Sequence, residues 1–188
     1  GIISDIHGNF VALDSVLKDL KSAHTDHIIC LGDIATGGPL PCEVIAQLKS
    51  LDIPVVLGNT DAWILNPSPP NERPSRNEEI KFWGLSQLSS SHLDYLRAFQ
   101  ETAEISLDDA TNLLYFHGCP LSNKKGISSI STNDDIEQRL AGHHAAVLAG
   151  GHTHKQMFRR YGDMILINPG TVGAPEPPND QELRLAQG

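Results

Sequence analysis

The chain opens by alternating short apolar runs with helical stripes. Phe10, Leu13, Val16, Leu17 and Leu20 recur every three or four positions, so the stretch from Phe10 to Lys21 predicts a helix with one apolar face. Ile2 and Ile3 ahead of it read as the end of a strand. Behind it come a strand over His27 to Leu31, a helix over Cys42 to Ser50 and a strand over Ile53 to Leu57. That order implies parallel strands joined by crossover helices, the opening of an α/β fold.

Between Asn66 and Asn77 the pattern stops. Pro67, Pro69, Pro70 and Pro74 lack the amide donor that regular structure needs, so this stretch is irregular. Short helices are expected at Glu78 to Leu88 and at Ser91 to Phe99, the second capped by Ser89 or Ser90. Strands follow at Leu113 to Phe116, Ala145 to Leu148 and Met164 to Ile167, with a helix from Thr132 to Leu140 capped by Thr132 or Asn133. The whole reads as one domain over 1–173, with 66–99 as a candidate cap insertion over a pocket and 174–188 as an irregular tail.

Composition narrows this picture. The chain has 188 residues, 39% hydrophobic and 20% charged, which suits one soluble core rather than a disordered chain. No apolar run nears the roughly 20 residues that span a bilayer, so no membrane partner is expected. A net charge of −9 argues against a general nucleic-acid surface. Cys30, Cys42 and Cys119 are scattered without a C-x-x-C spacing, which points to reduced thiols and a cytoplasmic setting. Gly1 reads as lying inside a strand already under way, so the start of the chain carries no information about an address.

The chemistry collects at the strand ends. These are Ser4-Asp5-Ile6-His7-Gly8-Asn9, Gly32-Asp33, Gly58-Asn59-Thr60-Asp61, His117-Gly118 and Gly151-His152-Thr153-His154. Ligands of open α/β sheets bind at the carboxyl ends of the strands. Seven donors therefore share one expected pocket: Asp5, His7, Asp33, Asn59, His117, His152 and His154. Alternation along an extended chain would aim Asp5 and His7 the same way, and likewise His152 and His154. Carboxylate, imidazole and amide oxygen together suit divalent first-row ions, Mn²⁺ first, with Fe²⁺, Zn²⁺ or Ni²⁺ also compatible. The set lacks the thiolates of a structural zinc site and has too many imidazoles for Ca²⁺. Asp33, in the middle of the set, is positioned to bridge two ions.

In their order, D-x-H, G-D, G-N-x-D, H-G and G-H-x-H resemble the signature of the calcineurin-like metallophosphoesterases, and most closely their small phosphodiesterase-like branch. Asn168-Pro169-Gly170-Thr171-Val172-Gly173 matches as well, so the resemblance runs from Gly1 to about Gly173. It implies a two-sheet α/β sandwich with flanking helices. It also implies a metal-dependent phosphoesterase of phosphodiesterase type, hydrolysing phosphate esters with a water that bridges two divalent ions. Asp5, His7, Asp33 and His154 would hold one ion; Asp33, Asn59, His117 and His152 would hold the other. Asn59 would also touch the substrate phosphate, and backbone around Asn168 to Gly170 would support the site.

Many relatives carry His after the Asn, where it protonates the leaving group; here that residue is Thr60. Thr36 stands where related protein phosphatases have an Asp that steadies that His. The expected catalytic set is therefore Asp33, Asn59 and Thr60, with Thr60 bonding a phosphate oxygen or water, or serving structure alone. Two other readings stay open: a phosphomonoesterase or protein phosphatase, and a catalytically weak scaffold for protein partners, as the retromer subunit of the sorting machinery is. The expected partner is a small phosphorylated substrate, nucleotide-like in form; the oligomeric state is not legible. Arg73, Arg76, Lys124 and Lys125 are candidates for a second anionic group on it, while His143 and His144 read as surface or capping residues.

Overall fold

In chain order the described residues, 1–108 and 111–174 of this computed structural model, form β1 (Ile2–Ile3), α1 (Phe10–Ser22), β2 (Ile29–Cys30), α2 (Pro41–Leu51), α3 (Asn59–Leu65), α4 (Arg76–Ser86) and α5 (Ser90–Arg97). They continue with β3 (Thr102–Ser106), β4 (Asn112–Phe116), α6 (Asn133–Leu140), β5 (Val147–Ala149), β6 (Gln156–Tyr161) and β7 (Met164–Pro169). Local chemistry sets the helix starts. The Asn9 side chain accepts the Ala12 N–H, and Thr132 accepts that of Asp135 while Asp135 returns a bond to Thr132. Pro41 opens α2, where a missing amide hydrogen costs nothing.

β1 and β2 pair in parallel, and Val55 adds one further parallel bridge to Cys30. The expected strand over Ile53 to Leu57 is thus reduced to single bridges, Val55 to Cys30 and Val56 to Gln100. The second sheet runs β3-β4-β5-β7-β6, parallel through its centre and antiparallel at both edges.

Alternation along the inner strands explains the layering. In β4, Leu113 and Tyr115 face the first sheet, in one cluster with Ile29, Leu31 and Val56. Leu114 and Phe116 face the other way, onto Ile136 and Leu140 of α6. Cys30 turns from Ile29 and Leu31 to join Leu13, Val44, Ile45, Leu48, Ile64 and Leu96 beneath α1, α2, α3 and α5. Helices, sheet, sheet, helix is the expected α/β sandwich, and strands buried on both faces read as unbroken apolar runs for this reason.

The segment expected as a cap packs Leu85, Leu88, Leu93, Tyr95 and Phe99 against the core beneath α1, α2, α3 and α5, with Phe82 edge-on to Trp63 at 5.1 Å. All but Ala174 of the expected tail lies outside the described residues. No helix among the described residues is long and apolar enough to cross a membrane.

Candidate metal centre

Five loops deliver the seven candidate ligands to one place. The first two run bonded together: Asp5 N–H donates to Gly32 O at 3.0 Å and His7 N–H to Asp33 O at 2.9 Å. Alternation along an extended chain does not aim these residues. The strand ends at Ile3, and Asp5, His7, Asp33, His152 and His154 all have left-handed backbone, with φ of 54°, 50°, 55°, 67° and 59°. Such a torsion costs a residue with a Cβ about 1–2 kcal/mol. Surrounding bonds hold it in place. Asp5 O accepts both the Gly173 N–H at 3.0 Å and the Thr171 hydroxyl at 2.8 Å, and Ser4 O accepts the Val172 N–H at 2.9 Å. Only glycine fits at 173, where a Cβ would lie 1.7 Å from Ile6 O.

Backbone carbonyls set three of the imidazoles. His7 Nδ1 meets Thr36 O at 2.9 Å, His117 Nδ1 meets Leu31 O at 2.7 Å, and His154 Nδ1 meets Ala174 O at 3.0 Å. A carbonyl only accepts, so each Nδ1 carries the hydrogen and each neutral ring presents a bare Nε2. These bare atoms then face other acceptors. His7 Nε2 lies 3.1 Å from His154 Nε2, and His117 Nε2 lies 3.0 Å from Asn59 Oδ1, which is 2.8 Å from His152 Nδ1.

The carboxylates join the same cluster. Asp5 Oδ2 is bound by the Ser4 hydroxyl at 2.6 Å and the His152 N–H at 3.0 Å. Its Oδ1 is buried with no hydrogen-bond partner among the described residues, 3.3 Å from His154 Nε2 and 3.7 Å from His7 Nε2. Asp33 Oδ1 takes the Thr60 N–H at 2.8 Å, which leaves Oδ2 3.8 Å from His7 Nε2 and 3.5 Å from His117 Nε2.

Acceptors spaced this way need positive charge between them. Ion–ligand bonds of about 2.0–2.2 Å, opened by right to tetrahedral angles, place donors at about these spacings. Asp5, His7 and His154 form one group able to hold a metal, and Asp5, Asp33 and His117 form another. Asp33 Oδ2 faces His7 and His117 alike, at 3.8 Å and 3.5 Å from their Nε2 atoms. Burial pushes the Asp5 carboxyl up, but the facing His154 and His7, His117 and the Ser4 hydroxyl hold it well below the usual range. Burial pushes His7 down, yet Asp5 and Asp33 lift it above an ordinary imidazole; the facing Asp5 carboxylate lifts His154 likewise. His152 is lowered by burial and by His117.

Several supporting residues escape a sequence reading. Asp61 is fully buried and accepts three backbone donors: Asp33 N–H at 2.7 Å, Ile34 N–H at 3.0 Å and Gly58 N–H at 3.2 Å. Burial and the Asp33 charge push its carboxyl up against the pull of these donors. Asn168 acts through its side chain as well as its backbone. Its amide donates to Gly151 O at 2.6 Å and Thr153 Oγ1 at 3.1 Å, and its Oδ1 accepts the Gly170 N–H at 2.8 Å. The Thr60 and Thr36 hydroxyls are buried without hydrogen-bond partners among the described residues, so the visible contribution of Thr60 is its amide. Arg73, Arg76, Lys124 and Lys125 are exposed. His144 meets Asp163 at 3.1 Å on the surface and His143 bonds Leu140 O at the end of α6.

Comparison with known proteins identifies the family and the fold. Residues 1–186 match the family described as the calcineurin-like phosphoesterase superfamily domain. A metallophosphoesterase from Sphaerobacter thermophilus is similar in structure, with a TM-score of 0.72 and 26% identity over 93% of this chain and 77% of that one. The hypothetical protein PH1004 from Pyrococcus horikoshii superposes at a TM-score of 0.78, with 19% identity over 92% of this chain and 76% of that one, and shows the fold. The uncharacterized protein MJ0912 of Methanocaldococcus jannaschii is 42% identical over 64 residues, which are 34% of this chain and 26% of that protein.

Proposed function

The chain belongs to the calcineurin-like phosphoesterase superfamily, and from that premise we propose that it is a dinuclear metal-dependent phosphoesterase of phosphodiesterase type. The observation that carries this reading is the set of lone-pair atoms that the neutral rings and the carboxylates turn on one another. His7 Nε2 faces His154 Nε2, and Asp5 Oδ1, without a hydrogen-bond partner among the described residues, lies beside both. In our assignment Asp5, His7, Asp33 and His154 hold one divalent cation and Asp33, Asn59, His117 and His152 the other, Mn²⁺ being the best match to the donors. Such a pair supplies Lewis-acid charge to phosphoryl oxygens and lowers the pKa of a water.

The protein's own groups do the positioning. The Thr60 amide anchors one Asp33 oxygen and so turns the other to the centre. Asp61 holds the amides of Asp33, Ile34 and Gly58, so the second and third loops move as one piece. Asn168 ties the His152–His154 loop to β7. We read the substrate as a small, nucleotide-like phosphate ester and the setting as cytoplasmic, in keeping with three unpaired cysteines.

Two expected results test this assignment. First, the residue after Asn59 is not an imidazole, and its hydroxyl is enclosed. General acid catalysis is worth about 10²–10⁴-fold, so without it poor leaving groups suffer most. With Mn²⁺ added, kcat/KM for bis(p-nitrophenyl) phosphate should exceed that for a simple alkyl monophosphate by at least about 10²-fold; preference for the alkyl ester would refute the diesterase reading.

Second, Mn²⁺ affinity should depend on pH with a definite sign. His7 and His154 are raised, so protons occupy their nitrogens to a higher pH than on free imidazole. Metal must displace those protons. Affinity is therefore full on the alkaline side and falls as pH drops through the raised His values, beginning above the ordinary imidazole range. Titrating Mn²⁺ by calorimetry from pH 8.5 to 5.5 in buffers of differing ionisation heat measures both the fall and the protons released; a flat profile would count against the imidazole assignment.

A further inference from the structure

Beside His152 lies a cavity of about 470 Å³ whose walls include Ser128, Ser131, Asp135, Arg139 and Thr153. It shares Ser128, Ile130 and Thr153 with a second cavity of about 380 Å³ that leads on to Lys155 and Gln156. Arg139, in the last turn of α6, is the cation of the first cavity. Its Nη1 donates to Gly126 O and, at 3.5 Å, to Ser131 Oγ. Nε and Nη2 make no hydrogen bond among the described residues. Gly126 in turn rests on the metal-site ring, since a Cβ there would lie 3.0 Å from His152 Cδ2. The guanidinium is therefore one residue's width from a candidate ligand of the second ion. Asp135 shares the cavity; its Oδ2 is engaged by the Thr132 N–H at the start of α6, and its charge also faces Arg139. Ser128 and Ser131 add hydroxyls to the same wall.

We propose that Arg139 receives a second anionic group of the substrate, a carboxylate or a phosphate carried beside the scissile phosphate, and so selects substrates with two anionic groups over simple esters. This rests on the phosphoesterase reading, because it takes the scissile phosphate to lie at the His152 end of the cavity. A planar guanidinium held at Nη1, with its Nε–Nη2 edge open, suits such an anion: its fixed fork pairs with carboxylate or phosphate oxygens in a way a flexible ammonium does not. The continuation past Ile130, which is 90% exposed, gives the remainder of the substrate a way out along β6. Arg139 has no motif around it in the sequence, and only the packing of α6 against the Gly126 loop places it here.

The test uses binding, so it does not depend on turnover. Calorimetry on the Mn²⁺-loaded protein compares phenylphosphonate with 4-(carboxymethyl)phenylphosphonate and with benzene-1,4-bisphosphonate. We expect at least one doubly anionic probe to bind about tenfold more tightly than phenylphosphonate, and its identity tells carboxylate from phosphate. Arg139→Gln should abolish that preference and leave phenylphosphonate within about twofold, while Arg139→Lys should retain part of it. Equal affinity of the native protein for all three probes overturns the proposal without recourse to any variant. So does an Arg139→Gln protein that loses all three equally, because Arg139 would then act on His152 through Gly126. Failure of the native protein to bind any phosphonate overturns the phosphoesterase reading together with this one.

Discussion

Asparagine in place of Asp33 is expected to lower Mn²⁺-dependent hydrolysis of an aryl phosphodiester by about 10²–10³-fold, the scale for removing one preorganised electrostatic contact. The change is isosteric, and its effect follows from one hydrogen bond. The Thr60 N–H requires an acceptor, so the amide oxygen takes the place of Oδ1. The NH₂ group must then occupy the position of Oδ2, 3.5 Å from His117 Nε2 and 3.8 Å from His7 Nε2. A central anionic acceptor becomes a neutral donor that faces the imidazoles instead of a cation. Metal content by mass spectrometry should fall with the rate, while the melting temperature of the metal-free protein holds or rises, because a buried charge has gone. Activity within threefold of the native protein would remove Asp33 from the centre of the proposed site.

Asp61→Ala should have the largest effect on stability. It leaves three amides, those of Asp33, Ile34 and Gly58, buried without acceptors. Unsatisfied buried groups cost about 1–3 kcal/mol each, and relaxation spares part of the total, so a loss of about 3–5 kcal/mol is expected. In a chain of this size that lowers the melting temperature by roughly 10 °C. Asp61→Asn keeps the volume and one accepting oxygen and should recover about half. Because Asp61 also sets the loops that carry Asp33 and Asn59, both variants should lose Mn²⁺ affinity in step with stability. An alanine variant as stable as the native protein would mean that water satisfies those amides.

The periodicity of the sequence made the long helices and inner strands legible because they bury whole faces. α1, α2 and α6 begin and end within two residues of where the apolar stripes and caps place them. β3 and β6 were not legible. They are the edges of the second sheet, and Glu104 and Arg160 sit in them exposed to solvent. α3 was hidden for another reason: its first turn is Asn59-Thr60-Asp61, in which the Asn59 and Asp61 side chains and the Thr60 amide serve the site, so the residues that start the helix looked like a turn.

The seven candidate ligands could be read from the sequence because they fall in short polar runs with glycine, each run just after an apolar stretch. How they are aimed could not, because left-handed torsions at five non-glycine residues have no signature in composition. Asp61 and Asn168 carry the same lesson. Most of the groups their side chains bond are brought near only by the fold: Asp33 is 28 residues from Asp61, and Gly151, which Asn168 holds, is 17 residues away from it.

The bonds that run from Thr171, Val172 and Gly173 to Ser4 and Asp5 also bear on time. They close loops of about 166 residues, so nothing emerging early from a ribosome can complete the first motif. Contacts of that separation form late and slowly, because loop-closure entropy must be overcome before they return anything. A nascent chain can assemble β1, α1, β2 and α2 from neighbouring residues, yet Asp5 stays without its clamp until residue 173 arrives. Translation therefore sets the earliest moment at which the site can bind an ion: the first ligand synthesised is among the last to be secured.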